Sequence, residues 1–162
     1  MKISQGLAKQ FNDQYNAELN NALTYQAMAN IMRCQAWNDY AKFFAKQSAE
    51  EYQHAEGIAD FLNERGACAM PDSVKSVKLM ENADPAQLAQ LALTLEQQNT
   101  QKIVALDEAA EGAGDKQACY FLVEYIKEQT HSEGFYIDLV AQLKRAGQNV
   151  AAVLEIGEHL NG

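Results

Sequence analysis

The sequence predicts an all-α fold: a four-helix bundle with one long crossover and a short fifth helix, in a single domain over residues 1–162. Three observations carry this. Only two prolines occur, and Ala, Gln, Glu and Leu are abundant while β-branched residues are few, a composition that favours helices and gives no sheet. Apolar residues recur at steps of three and four through four long stretches. Between the second and third of these the periodicity fails from Ala67 to Asp84, leaving a connection long for a loop.

The first helix is predicted over about 6–34, with Leu7, Phe11, Tyr15, Glu18, Ala22, Tyr25, Ala29 and Met32 on one face. Trp37-Asn38-Asp39 then offers a short turn with Asn38 or Asp39 as N-cap, and a second helix over about 39–65 ends at Gly66. So short a turn makes the two antiparallel neighbours. The second helix presents Tyr40, Phe44, Gln47, Glu51, His54, Ile58 and Phe61 inward.

A helix of some 27 residues is roughly 40 Å long at ~1.5 Å per residue, and about eighteen extended residues reach about 60 Å. The 67–84 segment can therefore run the length of the bundle and set the second and third helices parallel. Asn82-Ala83-Asp84-Pro85 starts the third helix with an N-cap and Pro at the first helical position. That helix, about 85–111, turns Leu88, Ala92, Glu96, Asn99, Ile103, Leu106 and Ala110 inward. Gly112 and Gly114 close it, Asp115 caps the fourth, and the fourth runs over about 115–146 to Gly147. The amphipathic segment 150–160 is too small to complete the core, so it belongs at one end of the bundle or against another subunit.

Several function classes are excluded at this level. The N-terminal Met1-Lys2-Ile3-Ser4-Gln5 lacks the apolar run of a signal peptide and no stretch approaches a membrane span, so a soluble, cytoplasmic protein is expected. Cys34, Cys68 and Cys119 are odd in number and widely spaced, which indicates neither a disulfide framework nor a zinc knuckle. A formal charge of −9 argues against nucleic acid and anionic membranes and for cations.

The chemistry lies in polar residues that interrupt apolar rows. Glu18, Glu51 with His54, and Glu96 stand near the middle of three helices, each on the inward face. Glu and His at i and i+3 put a carboxylate oxygen and a ring nitrogen one turn apart, within reach of one metal ion. For a lone Glu-x-x-His, a buried pair would be the ordinary explanation. Three carboxylates at one level repel one another, and no Lys or Arg stands at that level on the inward rows, so metal ions are the economical counter-charge. Carboxylates with one imidazole suit iron or manganese, and less well zinc. A bridging Glu with terminal ligands on either side holds two ions.

Glu128-Gln129-Thr130-His131 is a second Glu-x-x-His, but its helical phase disagrees with that pattern. Leu122, Tyr125, Tyr136, Leu139 and Leu143 centre on a direction that contains Gln129 and Ser132, with Glu128 on the flank and His131 further round. Gln129 is thus expected beside the centre, Glu128 at its edge and His131 as an outer group.

Asn16-Ala17-Glu18-Leu19 followed by Tyr25, Ala49-Glu50-Glu51-Tyr52-Gln53-His54, Leu95-Glu96-Gln97 with Thr100-Gln101-Lys102-Ile103, and Glu128-Gln129 together resemble the helical signatures of bacterial non-haem ferritins. The likeness covers nearly the whole chain and implies a ferritin-like bundle. It also implies an iron centre in which Glu18, Glu51 and His54 hold one iron and Glu51 and Glu96 the second, with Gln129 nearby. Tyr25 matches a tyrosine kept beside that centre; as a residue read alone it is equally a core aromatic.

The resemblance implies that a third, outer iron site of the family corresponds here to Glu50, Glu128 and His131, with Ser132 in place of a carboxylate. Haem-binding relatives carry Met after the bridging Glu; this chain has Tyr52, so no haem is expected. The resemblance implies ferroxidase activity with O2 or H2O2 and mineral storage in a 24-subunit homo-oligomer. Glu111, Asp115, Glu155 and His159 either border its pores or are solvated helix ends. Two other readings stand beside it: a rubrerythrin-like peroxidase, which commonly carries a Cys-rich module missing here, and a metal-free structural bundle.

Overall fold

Among the described residues all regular structure is helical: α1 Gln5–Cys34, α2 Asn38–Glu64, α3 Pro85–Gly112, α4 Lys116–Ala146 and α5 Val150–His159. The computed structural model describes residues 2–73, 75 and 77–161. Met1 and Gly162, the ends of the expected domain, and Val74 and Ser76 of the crossover lie outside the described residues.

Local chemistry sets most helix ends. Ser4 accepts from the Leu7 N–H at 3.3 Å, Asp115 from Ala118 at 3.1 Å and Asn149 from Ala152 at 3.2 Å. Asp84 and Gln87 form a reciprocal capping box with Pro85 next to the cap. The start of α2 differs from expectation: Trp37, not Asn38 or Asp39, is the cap residue, and its side chain makes no capping bond. The Trp37 N–H is committed to Met32 O at 2.9 Å, so the chain re-enters a helix at once and Asn38 is already helical.

Three helices end in the same left-handed residue. Gly66 (φ 73°) closes α2 and Gly114 (φ 66°) closes α3, but at the end of α1 the position is held by Ala36 (φ 62°). In each case the next residue's N–H reaches back across the turn, as Ala67 does to Leu62 O at 2.9 Å.

Packing fixes the topology. One apolar cluster joins Met28 and Met32 of α1, Tyr40 and Phe44 of α2, Leu88 of α3, and Leu139 and Leu143 of α4. A second joins Leu7 and Phe11, Ile58 and Leu62, Leu106 and Ala110, and Ala118 and Leu122. The start of α3 therefore lies with the start of α2: these two are parallel, and the α1–α2 and α3–α4 neighbours are antiparallel. Between the clusters lies a layer of buried polar side chains: Gln14, Glu18, Asn21, Glu51, Glu96, Asn99 and Gln129.

The crossover is fastened to α1 by asparagines spaced four residues apart. Asn12 Oδ1 accepts from the Met70 N–H at 2.7 Å, Asn16 takes both Met70 O at 3.0 Å and the Asp72 N–H at 2.6 Å, and Asn20 accepts from Lys75 at 3.1 Å. Side-chain amides thus stand in for a neighbouring strand. The short α5 closes one end of the bundle, where Tyr40 Oη donates to Val153 O at 2.7 Å and Asn161 Nδ2 to Asp39 O at 3.0 Å. No described helix is long and apolar enough to cross a membrane.

Candidate metal centre

The polar layer exists because four helices turn hydrogen-bonding side chains inward at the same height, three from α1, two from α3 and one each from α2 and α4. Every inward position expected for α3 is buried, Glu96 and Asn99 included. On α1, Glu18 has no exposed surface at all, and on α2 Glu51 is buried while His54 is half-buried. Glu18, Glu51 and His54 each offer a ligand atom within 4.8 Å of the others, the one such group of His, Cys, Asp or Glu among the described residues.

Neutral groups surround the carboxylates. Glu18 accepts from Gln14 Nε2 at 2.6 Å and from Asn99 Nδ2, and Glu51 accepts from Asn21 Nδ2 at 3.3 Å. Glu96 accepts from the Tyr25 hydroxyl and, at 3.1 Å, from Gln129 Nε2. No ion pair among the described residues brings a lysine or arginine to any of the three. Burial, and after it the adjacent Glu18 charge, push the Glu51 carboxyl well above the usual carboxylate range. Burial also raises the Glu96 carboxyl, against the opposing hydrogen bonds of Tyr25 and Gln129. Tyr25, buried beside Tyr136 and Glu96, is held as a neutral phenol far above its ordinary value.

These are the properties of a cation site. Two buried carboxylates and an imidazole converge, a third carboxylate borders them, and only dipoles offset their charge. The donor set of hard oxygens with one nitrogen fits Fe2+ or Mn2+. The imidazole is already oriented, with Nδ1 4.0 Å from Glu51 Oε1 and Nε2 3.1 Å from Glu128 Oε2.

The structure places the remaining expected residues as follows. Gln129 is buried and bonded to Glu96, its side-chain nitrogen also reaching Thr100 Oγ1 at 3.3 Å. Glu128 is half in solvent yet touches His54. Glu50 faces its own helix, with Lys46 Nζ at 3.7 Å, and His131 is exposed. Glu50, Glu128 and His131 form no ligand cluster with one another. Of the helix-end residues, Asp115 is buried against Arg65 Nη2 at 2.6 Å, and that guanidinium holds its carboxyl below the usual range. Glu111, Glu155 and His159 are exposed. Gln14 and Asn21 are site neighbours that apolar periodicity overlooks; the signal available was an amide one turn before, and one just under a turn after, the intruding Glu18.

A family model described as a ferritin-like domain matches residues 8–146. The chain is 34% identical over 157 residues to the chloroplastic ferritin-1 of Nicotiana tabacum, covering 91% of this chain and 61% of that protein, less than two thirds of its length. It is 29% identical over 147 residues to a bacterial non-heme ferritin of Staphylococcus epidermidis, covering 91% and 88%. Among solved structures, the open pore ferritin of the hyperthermophilic archaeon Archaeoglobus fulgidus superposes with a TM-score of 0.93 at 26% identity, over 99% of this chain and 98% of that one.

Proposed function

The chain belongs to the ferritin family, and from that membership we propose that it is an iron-storage protein that oxidises Fe2+ at a centre within each subunit. The observation that carries the reading is the convergence of Glu18, Glu51 and His54 to within 4.8 Å, with Glu96 alongside and no cationic side chain among them. Glu18, Glu51 and His54 hold one Fe2+; Glu51 and Glu96 hold a second, with Gln129 and Tyr25 fixing the Glu96 carboxylate. Binding displaces the proton that burial favours on Glu51.

Two Fe2+ ions give up one electron each, reducing O2 to peroxide or peroxide to water. The carboxylates favour the product because Fe3+, harder and more highly charged, gains more from anionic oxygen than Fe2+ does. Fe3+ then leaves for a mineral inside a cage of this subunit, a 24-mer on the family pattern. The charge of −9 supports attraction of cations to such a shell. Action in the cytoplasm, without haem, completes the proposal.

Stopped-flow oxidation of Fe2+ under air, with native mass measurement of the assembly, tests it. The expected result is a large cage with a fast phase of about two irons per subunit, abolished by Glu51→Ala and by His54→Ala. Fast oxidation surviving both substitutions overturns the assigned centre. A small oligomer that reduces peroxide without storing iron overturns storage.

A further inference from the structure

The two oxygens of Glu18 are unequally occupied. Gln14 Nε2 donates to Oε1 at 2.6 Å, and Asn99 Nδ2 donates to Oε1 and Oε2 at 3.3 Å each. Gln14 Nε2 also donates to Asn99 Oδ1 at 2.8 Å, which closes a ring of three side chains. All three members are buried. The ring admits one orientation of its amides, since turning Asn99 over would set a carbonyl oxygen against the carboxylate and leave Gln14 facing a second donor.

A carboxylate has about four lone-pair directions, two on each oxygen. Two amide donors fill those of Glu18 Oε1. Of the amide donors, Oε2 receives only the longer, shared contact from Asn99, and the Glu18 carboxyl faces Glu51 on its remaining side, which is where a metal shared with Glu51 would sit. A buried carboxylate without this ring is free to rotate and close on a hard cation with both oxygens.

We propose that Gln14 and Asn99 are positioning residues that make Glu18 a one-oxygen ligand, so that a metal held with Glu51 and His54 keeps a coordination position open for a small exogenous ligand. This rests on the reading of Glu18, Glu51 and His54 as metal ligands. Gln14 acts from one turn before Glu18 on the same helix, and Asn99 from one turn after Glu96 on α3, so the ring also ties the geometry of Glu18 to the α1–α3 packing.

Co2+ is the probe, because its d–d absorption reports coordination geometry without turnover. The full chain, metal-free, is titrated with Co2+ and then with azide, as wild type, Asn99→Leu and Gln14→Met. In the wild type an intense band responds to azide. In Asn99→Leu the band weakens and shifts as Glu18 chelates, and the azide response is lost. Gln14→Met, unbranched and close in volume, moves both signals the same way but less, because the Asn99 N–H remains. If Asn99→Leu does not fold, Gln14→Met alone decides.

A purely structural role would lower the melting temperature and leave band and azide response unchanged, which overturns the proposal. Absence from the wild type of any Co2+ band sensitive to His54→Ala instead removes the metal centre itself, and the positioning role with it.

Discussion

His54 is gripped from outside the bundle by Glu128: the imidazole Nε2 lies 3.1 Å from the Glu128 carboxylate while Nδ1 is turned toward Glu51. A carboxylate accepting from one ring nitrogen fixes the tautomer and raises the basicity of the other. Glu128 therefore reaches the centre through His54. Glu128→Gln is expected to weaken metal binding by about ten- to a hundred-fold, as partners of ligating histidines do. Isothermal titration with Mn2+ measures it. His131→Ala, changing an exposed side chain outside the ligand cluster, is expected to leave that affinity within about two-fold.

Glu51 is the carboxylate whose burial is least compensated, with one amide donor at 3.3 Å and two acidic neighbours. Glu51→Gln is expected to stabilise the metal-free protein at neutral pH by about 1–3 kcal/mol, since a neutral isostere spares the proton uptake, or the buried charge, that folding imposes on Glu51. It should at the same time abolish the stabilisation by divalent metal. Urea denaturation with EDTA or with Zn2+ reads both effects.

The same group sets a pH dependence with a definite sign. A carboxyl raised on folding contributes stability that is fully present below its unfolded value, ~4.3, and is lost as pH rises through the folded value. For Glu51 and Glu96, both raised, the metal-free melting temperature is expected to fall as pH rises above their ordinary carboxylate range, and saturating Zn2+ to flatten the fall. Asp115, lowered by Arg65, acts oppositely: its contribution is present above ~3.9 and lost as pH falls through the lowered value. Differential scanning calorimetry on both sides of the ordinary carboxylate range, in acid for Asp115 and toward neutral pH for Glu51 and Glu96, checks both limbs.

Ala36 occupies a left-handed position that Gly66 and Gly114 fill at the other helix ends. The strain of a Cβ there outweighs the extra chain entropy of glycine. Ala36→Gly is expected to stabilise the protein by about 0.5–1 kcal/mol, read as a higher urea midpoint at unchanged slope.

How far the sequence revealed the centre depended on how one-sided each helix is. On α3 a single apolar row is broken once, so Glu96 and Asn99 could be placed by periodicity alone. On α1 the buried face is wider than one row, and Gln14 and Asn21 fall outside the apolar row because nothing local shows that α3 and Glu51 complete their hydrogen bonds. On α4 the phase distinguished Gln129 from Glu128. The Glu128–His54 contact was not legible, because it depends on how closely α2 and α4 approach and on side-chain reach beyond the helix flank. The cap of α2 was misjudged for a related reason: the Trp37 N–H closes the preceding helix, a bond that capping propensities do not register.

The polar layer between the two apolar clusters has a further consequence. Helices ordinarily fray from their tips, but here both ends of every long helix are anchored in hydrocarbon while their midpoints meet over repelling acids. Amide hydrogen exchange in the cargo-free state should therefore be fastest, for groups equally shielded from solvent, at the waist of the molecule. Taking up a divalent cation would cinch that waist, turning two loosely coupled halves into a single cooperative unit.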